Sequence, residues 1–422
     1  MPTLIPDEQR RFALEVVRRL REAGFEAYWA GGCVRDRLLG REPVDYDVAT
    51  NAEPERIRAI FGRRRTLALG AAFGVISVIG PKPAGLVEVT TFRRDAAYSD
   101  GRHPDSVSFS TAAEDASRRD FTINGMFYDP IEQRVIDFVG GREDLAAHIV
   151  RAIGRARERF AEDKLRMLRA VRFAAAFDFT LDGEARGAIA EMAAEIHVVS
   201  PERIAVEMRR LLADRNRAAG VRLLVETGLA EQLLPEIVPR GDSGRREMEA
   251  KLDFLARLGE CGFPAALAAL LAPCVDPAGA AEVCRRWKIS NDDRERICRL
   301  VEHRDSLLGA AELPWSKLQP LLTADWIGDL LNLTEAASPA GAEAAAYCRQ
   351  LLAMPPENLD PPPLLTGDDL LAAGIPAGPC YKIILQRVRD AQLDGQLADR
   401  AEALAMARVI VERGEGRGER GE

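Results

Sequence analysis

The stretch "GGCVRDRLLGREPVDYDVAT", Gly31 to Thr50, decides how the N-terminal third of the chain is read. It follows the strand-like "EAYWA". Two glycines open a helix-like run carrying Arg35 and Asp36, and a short turn leads to a β-prone segment with Asp45 and Asp47 one residue apart. Residues i and i+2 of a strand share a face, so the two carboxylates are expected side by side. Like charges so close are costly unless a cation neutralises them. A third carboxylate, Glu88, stands in "LVEVTTF" between Val87 and Val89, where an ordinary surface strand would not place it. Such a set suits divalent metal chemistry. Alone, the Asp-x-Asp favours a plainer reading, an exposed turn with an aspartate as a cap.

The glycines have the same ambiguity. After a strand, Gly31 and Gly32 would let backbone N–H groups approach phosphates, with Arg35 adding a charge-assisted contact to a triphosphate. A glycine pair is also a common turn. Asp45 and Asp47, 13 and 15 residues beyond Gly32, strengthen the first reading.

Further out, Phe12, Val16, Val17 and Leu20 recur at helical spacing, predicting a helix over 8–23. "EAYWAGG", "VDYDVAT", "FGVISVIG", "GLVEVTTFR" and "RVIDFVGG" read as strands. "NAEPERIRAIFG" reads as a helix with Asn51 as its cap and Pro54 near its start. Residues 1–145 therefore mix strands and helices. After Gly154 successive amphipathic helices follow with no convincing strand. "MPPENLDPPPLL" (Met354 to Leu365) reads as a linker, and the glycine-rich, charged "ERGEGRGERGE" as a disordered tail.

The whole chain has 422 residues, too many for one core. It is 47% apolar and 29% charged, with mean hydropathy -0.15. No apolar run reaches the ~20 residues that span a bilayer, and the N-terminus lacks a signal-peptide core, so a cytoplasmic location is expected. Seven scattered cysteines without a Cys-x-x-Cys argue against a disulfide framework or zinc knuckle. With only four histidines, any metal would be held by carboxylates, which suits Mg²⁺. Net charge is -8, mildly against a nucleic-acid partner, but Arg151 to Arg172 holds eight basic residues against three acids.

Two more constellations carry chemistry. In "SRRDFTINGM", Arg119 could hold a phosphate or sugar and Asp120 could fix it or bond the ribose; a helix start capped by Asp120 reads equally well. In "EDKLRMLRAVRF", Asp163, Arg166, Arg169 and Arg172 recur every three residues and form a stripe on a helix. The plain reading is surface ion pairs. The chemical one is base reading: a carboxylate accepts from an exocyclic amine and a guanidinium donates to ring nitrogen or carbonyl. Cytosine and adenine fit such a pair, whereas uracil and guanine set a carbonyl against the carboxylate.

With these motifs in order, the sequence resembles the class II tRNA nucleotidyltransferases (CCA-adding enzymes) and their bacterial poly(A) polymerase relatives. "GGCVRDRLLG" with "DYD", "RRDFTINGM", "VIDFVGGREDL", "EDKLRMLRAVRF" and "SPERIAVEMRRLL" are similar to the family's five motifs, densely over residues 25–215. "LLTGDDLLAAGIPAGPCYKIILQRV" is similar to its tail segment. The resemblance implies a seahorse-shaped α+β enzyme. Its head is a nucleotidyltransferase palm with a five-stranded mixed sheet (1–147), followed by an all-α neck (148–215), body (216–355) and tail (356–411), with 412–422 disordered. It implies that Asp45 and Asp47 bind Mg²⁺, with Glu88 as the third catalytic carboxylate. Gly31, Gly32 and Arg35 would contact the triphosphate. Arg119, Asp120, Asp163, Arg166, Arg169 and Arg172 would line the nucleotide pocket, and a tRNA acceptor stem would lie along basic surface.

"RRDAAYSDGRHPDSVSF" (Arg93 to Phe109) resembles the flexible loop that A addition needs. "LGAAFGVISV" (Leu69 to Val78) lacks the paired basic residues of poly(A) polymerases. The first sets it apart from CC-only enzymes and the second from poly(A) polymerases, so CCA addition from CTP and ATP is expected, with an A-adding enzyme or poly(A) polymerase of the same family as the alternative. Residues 250–305 resemble a degenerate HD hydrolase module without its metal-binding pair, so no hydrolase activity is expected. A different class of reading, a non-catalytic RNA-binding protein on a decayed scaffold, is opposed by the electrostatic cost of keeping the three carboxylates.

Overall fold

The computed structural model describes residues 6–95, 107–238, 244–378 and 380–413. They fall into two compact units, Met1–Met248 with Arg286–Lys288, and Glu249–Arg285 with Ile289–Glu422.

The first unit opens with helix α1 (Pro6–Glu22), whose buried face is Phe12, Ala13, Val16, Val17 and Leu20. Asp7 and Glu8 in its first turn and Arg19 and Arg21 in its last suit the helix dipole. Arg19 lies 4.6 Å over the Phe61 ring and donates to the Ile60 carbonyl, pinning α1 to the helix that ends there.

The sheet strands are β1 (Ala27–Ala30), β2 (Asp47–Thr50), β3 (Thr66–Gly70), β4 (Val75–Ile79) and β5 (Leu86–Thr91). β6 (Arg93–Asp95) and β7 (Val107–Phe109) pair with each other as a separate hairpin, and β8 (Phe127–Asp129) and β9 (Arg134–Ile136) rejoin the sheet. The main sheet runs β3-β4-β5-β2-β1-β8-β9. Only the central β2·β5 pair is parallel; every other neighbour is antiparallel.

The mixed α+β head is as expected, but its sheet has seven strands rather than five. The two extra strands are β3 and β8. β8 is three residues long and buried at all three, so it has no in–out alternation to read. A further two-residue pair, β10 (Ile149–Val150) with β11 (Thr180–Leu181), lies where only helix was expected.

α2 (Gly32–Leu38) and α3 (Pro54–Phe61) connect the first strands. Pro54 starts α3, but Asn51 does not cap it; its Oδ1 accepts from the Glu26 amide at 2.8 Å, tying the end of β2 to the start of β1. One sheet face carries Trp29, Val48, Val87 and Val89 toward α1. The other carries Ala30, Ala49, Phe92 and Phe127 against Ala112 and Ala116 of α4 (Ala112–Ser117). A capping box between Thr111 and Glu114 starts α4.

α5 (Gly141–Ala146), α6 (Ala156–Glu162), α7 (Leu165–Phe177), α8 (Gly183–Met192) and α9 (Pro201–Ala213) complete the part of this unit that bears on the site. α7 is buried along Leu165, Leu168, Val171 and Ala175, and α9 along Ile204, Glu207, Met208 and Leu211.

The second unit is helical among its described residues. Phe263–Leu271 is apolar and almost wholly buried, as a core helix must be. His303 stacks on Trp326 and bonds Ser306. The Pro-rich segment holds one short helix, Pro356–Leu359, and Asp360 beyond it accepts from Gln319 and Arg389. Leu365, Leu370, Ile384, Val388, Ala407 and Ile410 then form a separate small core. Of the loop expected over Arg93–Phe109, the two ends are the paired strands β6 and β7, and residues 96–106 lie outside the described residues. Of the disordered tail expected over 412–422, Glu412 ends a helix and residues 414–422 lie outside the described residues. No described helix is long and apolar enough to cross a membrane.

Candidate active site

The central parallel pair places the first two carboxylates. Asp47 on β2 stands directly opposite Glu88 on β5, and Glu88 opposite Ser77 on β4, making a polar row across one face. Glu88 is exposed between buried Val87 and Val89, because this face is uncovered at that point. Asp45 is exposed and lies just before β2 rather than inside it.

The carboxylates feel one another. Burial, then the charges of Asp45 and Glu88, push the Asp47 carboxyl from 3.8 up to about 6, against an opposing pull from Arg119. Among the described residues no three His, Cys, Asp or Glu side chains form a ready-made metal cage. The donor set is an aspartate pair with one further carboxylate in the next strand. Mg²⁺ is characteristically held by one or two carboxylates together with substrate phosphates, so these residues fit it without a closed cage.

Asp47 also borders a cleft of about 270 Å³ lined by Ala30, Ala49, Thr90, Arg93, Arg118 and Arg119. Three arginines and the Asp47 carboxylate thus line one cleft, a charge pattern suited to a polyphosphate with a cation. Arg118 and Arg119 are held by Asp115 at 2.7 and 3.0 Å. Burial opposes ionisation of Asp115, but Arg119 and Arg118 outweigh it and hold its carboxyl below the usual range.

Gly31 explains its own identity. Its φ is +72°, and a Cβ there would meet Arg119 Nη1 at 3.0 Å. The turn before α2 thus lets Arg119 lie against the backbone. Arg35 is turned inward. It is buried, donates to Asp36 at 2.8 Å and Asn124 at 2.7 Å, and packs over Phe177 of α7. It does not line the cleft; its direct role is to join α2 to α7.

The arginine stripe starting at Asp163 faces other parts of the same unit. Asp163 precedes α7, accepts the Leu165 amide at 3.0 Å and pairs with Arg203 of α9 at 2.7 Å. Arg166 pairs with Glu162 at 2.5 Å and donates to the Arg159 carbonyl at 3.0 Å. Arg169 grips Asp120, and Arg172 grips Glu207, each at 2.5 Å. Burial works against the Asp120 carboxylate, but Arg169 and hydrogen bonds from Arg169, Asn124 and the Phe121 amide lower its pKa to about 2. Asp120 is not a helix cap; it is an ion-pair partner between the head and α7.

Residues 27–151 match a family described as "Poly A polymerase head domain", and residues 178–239 one described as "Probable RNA and SrmB- binding site of polymerase A". A CCA-adding enzyme of Lactobacillus johnsonii is 33% identical over 399 residues, covering 93% of this chain and 95% of its own. The chain belongs to the CCA-adding enzyme family. The CCA-adding enzyme of Geobacillus stearothermophilus is 34% identical over 402 residues, with 93% and 95% covered. Among solved structures, the Bacillus stearothermophilus CCA-adding enzyme in complex with CTP matches with a TM-score of 0.76 at 29% identity, covering 96% of this chain and 99% of that one.

In this member of the CCA-adding enzyme family, three site residues escape a reading of the sequence. Arg93 and Arg118 line the cleft, and Asn124 sits between Arg35 and Asp120. The run "RRD" carried a signal for Arg118, as one of two adjacent arginines. Arg93 opens a second "RRD" run and carried the same signal, whereas Asn124 lies within "RRDFTINGM" as an uncharged residue that no charge pattern singled out. The basic run is also less bare than it reads: Arg151, Arg155, Arg157, Arg159, Lys164, Arg166, Arg169 and Arg172 each have a carboxylate partner.

Proposed function

We propose that the chain adds CCA to the 3′ end of tRNA, taking CTP and ATP as substrates and using no nucleic-acid template. The observation that carries this is the Asp47–Glu88 register beside the cleft of Arg93, Arg118 and Arg119. It supplies metal ligands and polyphosphate contacts within one pocket, and the family membership supplies the substrates. Seven cysteines free of disulfides suit the reducing cytoplasm, where we place the enzyme. We keep the division into head, neck, body and tail at 147/148, 215/216 and 355/356.

Asp45 and Asp47, with Glu88 beside them, would hold Mg²⁺. When bound, the cation offsets the clustered negative charge and lowers the barrier to transfer between oxygens. The chain's own contribution is placement. Arg93, Arg118 and Arg119 hold the triphosphate so that its α-phosphorus faces the terminal 3′-OH, and in-line attack expels pyrophosphate. Gly31 and Gly32 bring the backbone close to that pocket. Asp120, Arg169 and Arg172 brace α7, whose N-terminal end carries the base-reading pair. Asp163 accepts the amine of cytosine or adenine and Arg166 donates to the ring, trading their pairs with Arg203 and Glu162 for the base.

The match to a poly(A) polymerase head favours one second reading, A-only or poly(A) synthesis. Three tRNAs, ending before CCA, after C and after CC, distinguish them. Each is incubated with Mg²⁺ and CTP, ATP or both, and product length is read. CCA addition predicts completion of all three and then arrest. Products that stop at CC, start only from CC, or run on into a tail would overturn it.

Asp163→Ala should loosen base choice. In a four-nucleotide competition, UTP and GTP incorporation is expected to rise by about tenfold or more relative to CTP and ATP, since a lost polar partner removes much of the discrimination. Unchanged selectivity would remove the base-reading role.

A further inference from the structure

Asn124 is a buried amide standing between the phosphate side and the base side of the site. Its Oδ1 accepts from Arg35 Nη1 at 2.7 Å, and its Nδ2 donates to Asp120 Oδ1 at 3.2 Å. These partners fix which way the amide points. An arginine can only donate and an ionised carboxylate can only accept, so the flipped amide would oppose both.

Both partners then reach the same helix. Arg35, from α2, lies over Phe177 at 4.4 Å and Phe173 at 5.3 Å. Asp120, through its other oxygen, accepts from Arg169 at 2.9 and 2.5 Å. Arg169, Phe173 and Phe177 are spaced by four on α7, so they lie along one side of it. Two clamps therefore grip three successive turns of α7, and Asn124 is the only link between the clamps that these hydrogen bonds provide. Either clamp alone would grip only one end of this stretch of α7, which also meets Phe121 through Phe173 and the Arg118 carbonyl through Arg166. Joined through Asn124, they form a closed ring: Arg35, Phe173 and Phe177, Arg169, Asp120, Asn124.

We propose that Asn124 is a positioning residue that locks the base-reading helix α7 to the phosphate-side helix α2, so that nucleotide selectivity depends on it. The inference rests on the nucleotidyltransferase reading above. Asp163 and Arg166 sit at the start of α7, and their distance from the triphosphate is set by how α7 is held. A misplacement of about 1 Å can cost roughly 10²-fold in a step that depends on geometry.

The test uses the full-length protein, Mg²⁺, and a tRNA lacking CCA, with kcat and KM measured for CTP and for UTP. In Asn124→Leu the ratio of kcat/KM for CTP over UTP is expected to fall by about tenfold or more, with KM for CTP rising. A merely structural role would reduce the folded fraction, and hence kcat, while leaving KM and the ratio in place. If Asn124→Leu does not fold, Asn124→Ser, which keeps a polar group but cannot bridge both partners, is read in the same way. A ratio within about twofold of the parent in a folded variant overturns the inference. A parent protein that transfers no CMP at all overturns the functional reading itself, and the two failures are thus distinct.

Discussion

Asp47→Asn is expected to lose at least about 10³-fold in nucleotide incorporation and yet to make the metal-free protein more stable. The two effects share one cause. Burial together with the charges of Asp45 and Glu88 raises the Asp47 carboxyl from 3.8 to about 6 in the folded protein. Between about pH 4 and pH 6 the folded state therefore holds a proton that the unfolded chain has released. Stability falls as pH rises through that window, and above about 6 the full cost of the charged form is present. Asparagine has nearly the same shape and no charge. In the presence of a chelator at pH 7.5, the variant should gain on the order of 1–2 kcal/mol after discounting for the part-exposure of the group. The gain should vanish near pH 4, where the parent's carboxyl is also neutral. Thermal unfolding at both pH values checks the sign, and a primer-extension assay checks the activity. A variant that retains turnover would remove Asp47 from the catalytic set. One that is less stable than the parent at pH 7.5 would mean that the carboxylate serves the fold, not the chemistry.

How much of this was legible depends on how local the causes are. Glu88 could be found because its anomaly lies in its own strand, a charge between Val87 and Val89. That it stands opposite Asp47 could not, because a parallel pairing between segments about forty residues apart has no hairpin to set its register. Strand β8 was hidden because three buried residues in a row show no period. Arg35 looks like a phosphate ligand from its neighbours Gly31 and Gly32. Apart from its bond to neighbouring Asp36, its actual direction is set by Phe173, Phe177 and Asn124, none of them near it in sequence. The basic run from Arg151 to Arg172 has the same lesson. Its balancing acids include Asp144, Asp182, Glu191, Glu195 and Glu207, which fall outside the run and meet it only in the folded chain. The acidic and glycine-rich elements of the site are thus marked by residue type, while the frame that aims them is written in long-range contacts.

Glu207→Ala tests that frame, and it should be the most destabilising single change in the helical part of the first unit. Glu207 is only 3% exposed on α9; it accepts from Arg172 Nε at 2.5 Å and Arg169 Nη1 at 3.4 Å and forms a longer ion pair with Arg210 at 3.7 Å. Arg169 also has Asp120, so it keeps a partner when Glu207 is removed. Arg172 is less protected. Burial lowers its pKa, Arg169 and Arg210 push the same way, and Glu207 is the charge that opposes them. Its guanidinium is held 3.9 Å over the Phe173 ring and cannot simply swing into water without giving up that packing. Truncating Glu207 should therefore cost about 3–5 kcal/mol in chemical unfolding, the usual penalty for leaving one member of a buried pair charged and alone. The double variant Glu207→Leu with Arg172→Met should recover most of that loss, because the cost lies in the orphaned charge and not in the missing bond. It should not recover nucleotide affinity if Arg172 lines the pocket, since the guanidinium is gone in both senses. A Glu207→Ala protein within about 1 kcal/mol of the parent would show that Arg172 finds water or another partner, and that α7 is braced elsewhere. Recovery of stability and KM together would place Arg172 in the frame alone and outside the nucleotide pocket.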